Sequence, residues 1–85
     1  MNNIYIFVCA DEIKIGVSKN VEERLKAVQT GRSEKVYIYH NEERDDAYKL
    51  ERLLFKKFAK YRKEGEWFKG VSPEEARIAL YEFIF

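Results

Sequence analysis

The sequence of 85 residues contains one cysteine, one histidine and one proline, and these shortages exclude several kinds of site. Because Cys9 has no second cysteine to pair with, no internal disulfide is possible, and no Cys/His cluster exists for structural zinc. The single histidine, His40, removes most catalytic schemes that depend on histidine. A histidine at the end of a strand beside Asn41 and Glu42 is more often a solvated surface residue than a proton carrier.

Charge of one sign and long apolar runs are also scarce. The formal net charge is only +1 although 36% of the residues are charged, so global charge does not indicate a nucleic-acid binder. The apolar run from Ile4 to Ala10 is too short to span a membrane, and it lacks the basic leader and cleavage site of a signal peptide. We therefore expect a cytoplasmic protein without a membrane segment.

The sequence does contain enough apolar material for one small core. Hydrophobic residues make up 46% of the chain and aromatic residues 15%, a composition that argues against disorder. A chain of this length buries roughly 60–65% of the surface that its unfolded form exposes. Residues 1–85 are therefore expected to form a single domain.

Three segments have the composition of β-strands. Ile4–Val8 and Ile13–Val17 are rich in β-branched and aromatic residues, and the short polar break between them predicts a β-hairpin. Val36–Tyr39 predicts a third strand. Gly16, within the second strand, marks a bulge or a place where another group approaches the backbone closely.

Three other segments have the periodicity of helices. The first lies between residues 20 and 31, and the second, predicted to be the longest, runs from about 45 to 61. The third begins with a capping box formed by Ser72 and Glu75.

These segments give the order β-β-α-β-α-(short β)-α, in which the short extended piece is Glu66–Phe68. We expect that piece to dock Trp67 onto the core. Because only three segments carry a strong strand pattern, we predict an α+β (mixed α/β) fold with a small three-stranded antiparallel sheet flanked by helices.

Three side chains stand out by their positions. Arg24 and Glu51 border the buried stripes of their helices, where a carboxylate needs a cation, hydrogen-bond donors or a metal ion. On position alone, the simpler interpretation is that both form ion pairs, with each other or with neighbours. Tyr5 shares a strand face with Phe7, and periodicity alone favours packing in the core over a chemical role.

Motifs that contain these three residues follow one another in a distinctive order. Ile4-Tyr5 comes first, followed by K-I-G-V-S-K-N-V-E-E-R, which runs from Lys14 to Arg24. The later runs are L-E-R-L-L-F-K-K-F, which contains Glu51, and G-E-W-F. This set, from about Asn3 to Phe68, resembles the GIY-YIG nuclease superfamily, and the later runs are similar to its small phage- and virus-borne branch.

The resemblance implies a metal-dependent endonuclease that hydrolyses DNA phosphodiester bonds. Tyr5 would contact the attacking water, and Arg24 would hold the scissile phosphate and offset the charge that builds up on it. Glu51 would bind the single divalent metal ion, Mg²⁺ or Mn²⁺. One glutamate completed by waters and phosphate oxygens is an acceptable shell for Mg²⁺.

Two positions depart from the family pattern. Asn3 replaces the first glycine, and Lys14 replaces the tyrosine of the second motif. Lys14 would either assist catalysis, by lowering the pKa of Tyr5 or by binding phosphate, or mark a catalytically weak or inactive module that binds DNA or a protein partner. Glu66 would be either a second polar group at the site or an anchor for the last segment.

Basic residues that would contact DNA phosphates lie before the third strand and along the second helix. We assign this role to Arg32, Lys35, Arg52, Lys56 and Lys60. The alternative is that these side chains form an ordinary solvated face that complements the helix dipole. No element is suited to reading bases, so specificity would come from a partner domain or protein.

Overall fold

The computed structural model describes residues 1–85, and most of its elements follow the predicted order. They are β1 (Asn3–Cys9), β2 (Glu12–Ser18), α1 (Val21–Thr30), β3 (Val36–Glu43), α2 (Ala47–Lys57), β4 (Arg62–Glu64), β5 (Trp67–Lys69) and α3 (Pro73–Ile84). A short 3₁₀ turn, Ala59–Tyr61, separates α2 from β4.

The sheet contains five antiparallel strands in the order β3-β1-β2-β5-β4, so the prediction of a three-stranded sheet is wrong. The broader prediction of a mixed α+β fold is confirmed. The short extended piece is β5, and it pairs with β2. No local pattern indicates β4, because Arg62–Glu64 is polar and exposed. It forms because Gly65, at φ +57°, turns the chain back so that β4 pairs with β5.

Two elements differ in length from the prediction. β3 continues beyond Tyr39 to Glu43, because β1 offers pairing partners as far as Asn3. α2 covers residues 47–57 instead of 45–61, since its end tightens into the 3₁₀ turn. With 12 residues, α3 is the longest helix.

Side chains cap the starts of α1 and α3. The side chain of Asn20 accepts a hydrogen bond from the backbone N–H of Glu23 at 3.1 Å. The backbone N–H of Glu75 donates to the hydroxyl of Ser72 at 3.0 Å, and the carboxylate of Glu75 accepts from the N–H of Ser72 at 3.3 Å. The predicted capping box is confirmed, and it fixes the first turn of α3.

Alternating side chains along β1 and β2 create two hydrophobic clusters, one on each face of the sheet. On one face, α2 and α3 cover the strand residues Ile4, Ile6, Val8, Ile13, Ile15 and Val17. On the other face, α1 lies over a smaller cluster built around Tyr5, Phe7 and Cys9. Lys14 and Gly16 share this second face, because they pair with Phe7 and Tyr5 in the hairpin.

One edge of β2 is only partly covered. β5 pairs with Glu12–Lys14, and the N–H of Ile15 donates to the carbonyl oxygen of Glu66 at 3.3 Å. The remaining stretch, Gly16–Ser18, has no neighbouring strand on that side. We call this stretch the free edge of β2. Both α1 and α2 contact β2, one from each face, so side chains of either helix can reach the free edge.

Candidate active site

Tyr5 is fully buried, yet its hydroxyl oxygen has no hydrogen-bond partner. Its ring stacks on Phe7, with the ring centroids 4.0 Å apart, and lies across Gly16. A Cβ atom on Gly16 would overlap the hydroxyl oxygen and Cζ of Tyr5. Buried polar groups are nearly always hydrogen-bonded in native proteins. The ring therefore packs in the core, as periodicity predicts, while the hydroxyl beside the free edge of β2 has no partner within the chain.

Three charged side chains lie near this hydroxyl. The pKa of Tyr5 is raised to about 12, mainly by burial and then by Glu66, while Arg24 lowers it and Glu51 adds a smaller rise. Electrostatic effects of this kind weaken with distance. The charged groups of Arg24 on α1, Glu51 on α2 and Glu66 before β5 therefore all lie near the Tyr5 hydroxyl. The raised pKa means that Tyr5 keeps its proton at neutral pH.

Glu51 is a half-buried carboxylate on α2 without an ion pair. Burial and then the nearby Glu66 raise its pKa, while Lys14 and Arg62 lower it. Glu51 forms no ion pair with Arg24 or with another neighbour, so the alternative that explained its position by an ion pair is wrong. A half-buried carboxylate without a partner in the chain is free to bind a cation from outside it.

Arg24 projects from α1 and is exposed, whereas its spacing placed it at the border of the buried stripe. It makes no ion pair or side-chain hydrogen bond within the protein. Its guanidinium is near enough to Tyr5 to lower the pKa of the hydroxyl. An unpaired guanidinium beside a buried hydroxyl is well placed to bind an anion such as a phosphate.

Lys14 and Glu66 form the one close ion pair of the site. The ammonium of Lys14 donates to Oε1 of Glu66 at 2.7 Å, and the Lys14 side chain is only 11% exposed. Lys14 lowers the pKa of Glu51, whereas the side chains that shift the pKa of Tyr5 are Glu66, Arg24 and Glu51. Lys14 thus affects the pKa of the Glu51 carboxylate and not that of the Tyr5 hydroxyl.

Glu66 has a larger place in the site than its sequence signal indicated. Its backbone carbonyl oxygen accepts a hydrogen bond from Ile15, as an anchor of the last segment would, and its carboxylate accepts one from Lys14. The signal that could have identified it is the G-E-W-F run, in which a glycine turn delivers the carboxylate directly before β5.

The predicted DNA-contacting residues do not all converge on this site. Arg32 is engaged within the protein, with its guanidinium 3.1 Å from Glu12 and 3.7 Å from the centroid of the Trp67 ring. The other four are exposed, namely Lys35, Arg52, Lys56 and Lys60. Two of them, Arg52 and Lys56, lie on α2, the helix that carries Glu51.

His40 lies on β3, at the sheet edge opposite to β4. Its side chain is 15% exposed, contacts the carboxylate of Glu42 at 3.1 Å and packs edge-on against Tyr81. The expectation of a solvated residue is therefore wrong, because α3 covers this position.

A divalent metal ion would find its carboxylate ligand in Glu51, with Glu66 close by. No group of three or more histidine, cysteine, aspartate or glutamate side chains that could hold an ion occurs in the chain. Mg²⁺ does not need such a group, because it keeps several waters and binds through one or two carboxylates. The half-buried, unpaired Glu51 beside the unpartnered hydroxyl of Tyr5 fits such an ion.

The chain matches a phage-associated domain that occurs in some nucleases. Residues 3–83 match the T5orf172 domain, and the chain therefore belongs to the T5orf172 domain family. This family is associated with nuclease and DNA-binding roles. No curated protein and no solved structure gave a significant match. None of the helices has both the length and the apolar composition needed to cross a membrane.

Replacing Gly16 with alanine is expected to destabilise the protein by about 1–3 kcal/mol, because the new methyl group must displace the ring of Tyr5. The measurement is the urea midpoint followed by circular dichroism. Gly31→Ala is the matched control, since a Cβ there would meet only the carbonyl oxygen of Val28 at 3.6 Å. Equal midpoints for the two variants would show that the Tyr5 ring does not lie over Gly16.

Proposed function

We propose that this chain is a GIY-YIG-type endonuclease domain that hydrolyses phosphodiester bonds of DNA with the help of Mg²⁺ or Mn²⁺. One observation carries the proposal: the buried hydroxyl of Tyr5 has no partner, and two charged side chains that also lack ion pairs, Arg24 and Glu51, lie near it. A domain that only bound DNA would have no need to leave a buried hydroxyl unsatisfied. The association of the T5orf172 family with nucleases and DNA binding supports the same reaction class.

Each residue has a role that its surroundings allow. The hydroxyl of Tyr5 accepts a hydrogen bond from the attacking water and holds it beside the free edge of β2. Since Tyr5 is protonated at neutral pH, it acts as a relay that takes a proton from the attacking water while it passes its own proton to a second water molecule at the free edge of β2. The water oxygen then bonds to phosphorus, the bond to the leaving oxygen breaks, and that oxygen takes up a proton from solvent.

The cationic residues stabilise the charge that accumulates on the phosphate. Arg24 is exposed and unpaired, so its guanidinium can form charge-assisted hydrogen bonds with the scissile phosphate. Glu51 would hold the divalent metal ion, which supplies Lewis-acid polarisation of a phosphate or leaving-group oxygen when bound. Lys14 lies on the same side and holds Glu66 next to Glu51. Exposed Arg52 and Lys56 on α2 would contact neighbouring phosphates.

The test is nicking of supercoiled plasmid DNA at low salt, with Mg²⁺, Mn²⁺ or EDTA, by the wild-type protein and by Arg24→Ala. We expect nicking that EDTA abolishes, and a rate about 10²- to 10³-fold lower for Arg24→Ala, as is typical when one transition-state donor is lost. Lys26→Ala is the control, because Lys26 is an exposed cation on the same helix without a predicted role.

Absence of nicking by a folded wild-type protein under all these metal conditions would overturn the proposal. The chain would then be a module that binds DNA or a protein partner, as Lys14 in the position of the second tyrosine allows. A fall in rate for Lys26→Ala equal to that for Arg24→Ala would mean that general charge on α1, and not the position of Arg24, matters for cleavage.

A further inference from the structure

The largest cavity of the protein lies beside the candidate active site and has no assigned role. It measures about 720 Å³ and opens between the loop after α1 and the turn that joins β4 to β5. Its lining residues are Glu12, Lys14, Gly31, Arg32, Ser33, Lys63, Glu64, Gly65, Glu66 and Trp67. We call it the Arg32 pocket. It shares Lys14 and Glu66 with the candidate active site, so a ligand that enters the pocket lies next to that site.

Arg32 presents a flat, fixed surface to this pocket. Its guanidinium carbon lies over the Trp67 ring, 3.7 Å from the ring centroid, which is van der Waals contact with the face of the ring. One guanidinium nitrogen also bonds to Oε1 of Glu12 at 3.1 Å, which limits rotation of the group. The Arg32 side chain remains 28% exposed, so part of its surface is available to a ligand.

The charges that line the pocket argue for a neutral, polar ligand. The lining contains three acidic and three basic residues, so it has no net positive charge. The acidic residues are Glu12, Glu64 and Glu66, and the basic residues are Lys14, Arg32 and Lys63. A phosphate-binding pocket needs an excess of cations. Trp67 is the only hydrophobic residue in the lining, which disfavours an aliphatic ligand.

A nucleobase has the properties that this lining favours. Proteins that bind unpaired strands stack bases on aromatic rings and on arginine guanidinium planes. Carboxylates accept hydrogen bonds from the amino groups of bases, and ammonium groups donate to their carbonyl oxygens. The Arg32 pocket offers all three kinds of group within one cavity.

We propose that the Arg32 pocket receives an unpaired nucleobase, so that the substrate class of this domain is nucleic acid with an unpaired nucleotide close to the scissile phosphate. The placement of that phosphate rests on the proposed function, whereas base binding in the pocket can be measured without cleavage. In this arrangement Arg32 is a binding residue that stacks on a base, and its earlier assignment to phosphate contact is replaced.

The experiment is a binding titration in EDTA with the full chain and labelled single strands of about eight nucleotides, within the site sizes known for single-strand binders. One strand is oligothymidylate, and its control has abasic residues throughout, so that the phosphates are the same and the bases are missing. Anisotropy gives the affinity, and emission of the only tryptophan, Trp67, reports on the pocket itself. Oligouridylate and a blunt duplex complete the set, the first to distinguish RNA from DNA as the source of the base.

We expect the abasic strand and the duplex to bind at least about tenfold more weakly than oligothymidylate, and only strands with bases to change the emission of Trp67. Arg32→Lys keeps the charge but removes the stacking plane, so it should weaken binding of oligothymidylate about tenfold and leave the abasic strand unaffected. Arg77→Lys is the matched control, because Arg77 lies 5.3 Å from the Tyr39 ring and lines no part of the pocket.

Equal affinity for the oligothymidylate and abasic strands would overturn the inference. An equal loss of affinity for both strands in Arg32→Lys would also overturn it, because it would indicate that Arg32 contacts phosphate or has a structural role. Tighter binding of oligothymidylate than of the abasic strand would support it, and whichever of oligothymidylate and oligouridylate then binds more tightly identifies the source of the base. Plasmid nicking without base-dependent binding would refute the pocket assignment alone. Base-dependent binding without nicking would support the pocket and refute the proposed cleavage activity.

Discussion

Replacing Glu51 with glutamine is expected to reduce metal-dependent nicking by about 10³-fold or more, because the loss of Lewis-acid stabilisation costs several kcal/mol of transition-state binding. Glutamine has the same shape but offers a neutral amide, which is a far weaker ligand for a hard cation. The measurement is the single-turnover nicking rate across a range of Mg²⁺ and Mn²⁺ concentrations. Glu82→Gln is the control, since Glu82 is an exposed carboxylate on α3.

The same variant should be at least as stable as the wild type. Burial and Glu66 raise the pKa of Glu51 above its usual value, so folding favours the neutral form and the charge of Glu51 opposes folding near neutral pH. Glutamine removes that charge, and the urea midpoint at pH 7 should stay the same or rise. Undiminished nicking by a folded Glu51→Gln protein would exclude Glu51 as the metal ligand.

Replacing Tyr5 with phenylalanine is expected to lower the nicking rate by about 10²- to 10⁴-fold, the usual contribution of a positioned proton-transfer group. Its effect on stability should have the opposite sign, because the hydroxyl is buried without a partner and its removal relieves a desolvation penalty of about 1 kcal/mol. Nicking and urea unfolding of one preparation measure both effects. Tyr37→Phe is the control, because the hydroxyl that it removes belongs to a residue that is 49% exposed.

Alkaline pH gives a second readout for Tyr5. Its pKa is raised from 10.0 to about 12, so the folded state holds the proton more tightly than the unfolded state does. The stabilisation that this provides is complete below pH 10 and is lost as the pH rises toward 12. Tyr5→Phe should lack this contribution and lose less stability over that interval than Tyr37→Phe. A destabilised Tyr5→Phe variant at neutral pH would show that the hydroxyl has a partner after all.

Local patterns were sufficient for the elements that are determined by their own residues. Alternation along Ile4–Val8 placed Tyr5 and Phe7 on one face, and the Ser72–Glu75 pattern placed the start of α3. β4 could not be found in this way, because its polar residues become a strand only by pairing with β5. The length of β3 likewise depends on how far β1 extends beside it.

The site shows the same division between local and distant information. Spacing identified Arg24 and Glu51 as conspicuous, but it could not show that both side chains, on helices that cover opposite faces of the sheet, lie near enough to Tyr5 to shift its pKa. Lys14 and Glu66 are 52 residues apart, so their ion pair has no local signature. The engagement of Arg32 with Trp67 and Glu12 is also a tertiary contact, which a count of basic residues cannot reveal.

The position of β5 next to β2 has a consequence for the order in which the site forms during folding. The hairpin of β1 and β2 joins neighbouring segments, whereas β5 reaches β2 only after a long loop has closed. Contacts between distant segments form more slowly than local ones. Tyr5 and Gly16 should therefore meet early, and the carboxylate of Glu66 should arrive late. Until that docking step, the folding chain holds Tyr5 against Gly16 without the Glu66 carboxylate and its ion pair to Lys14.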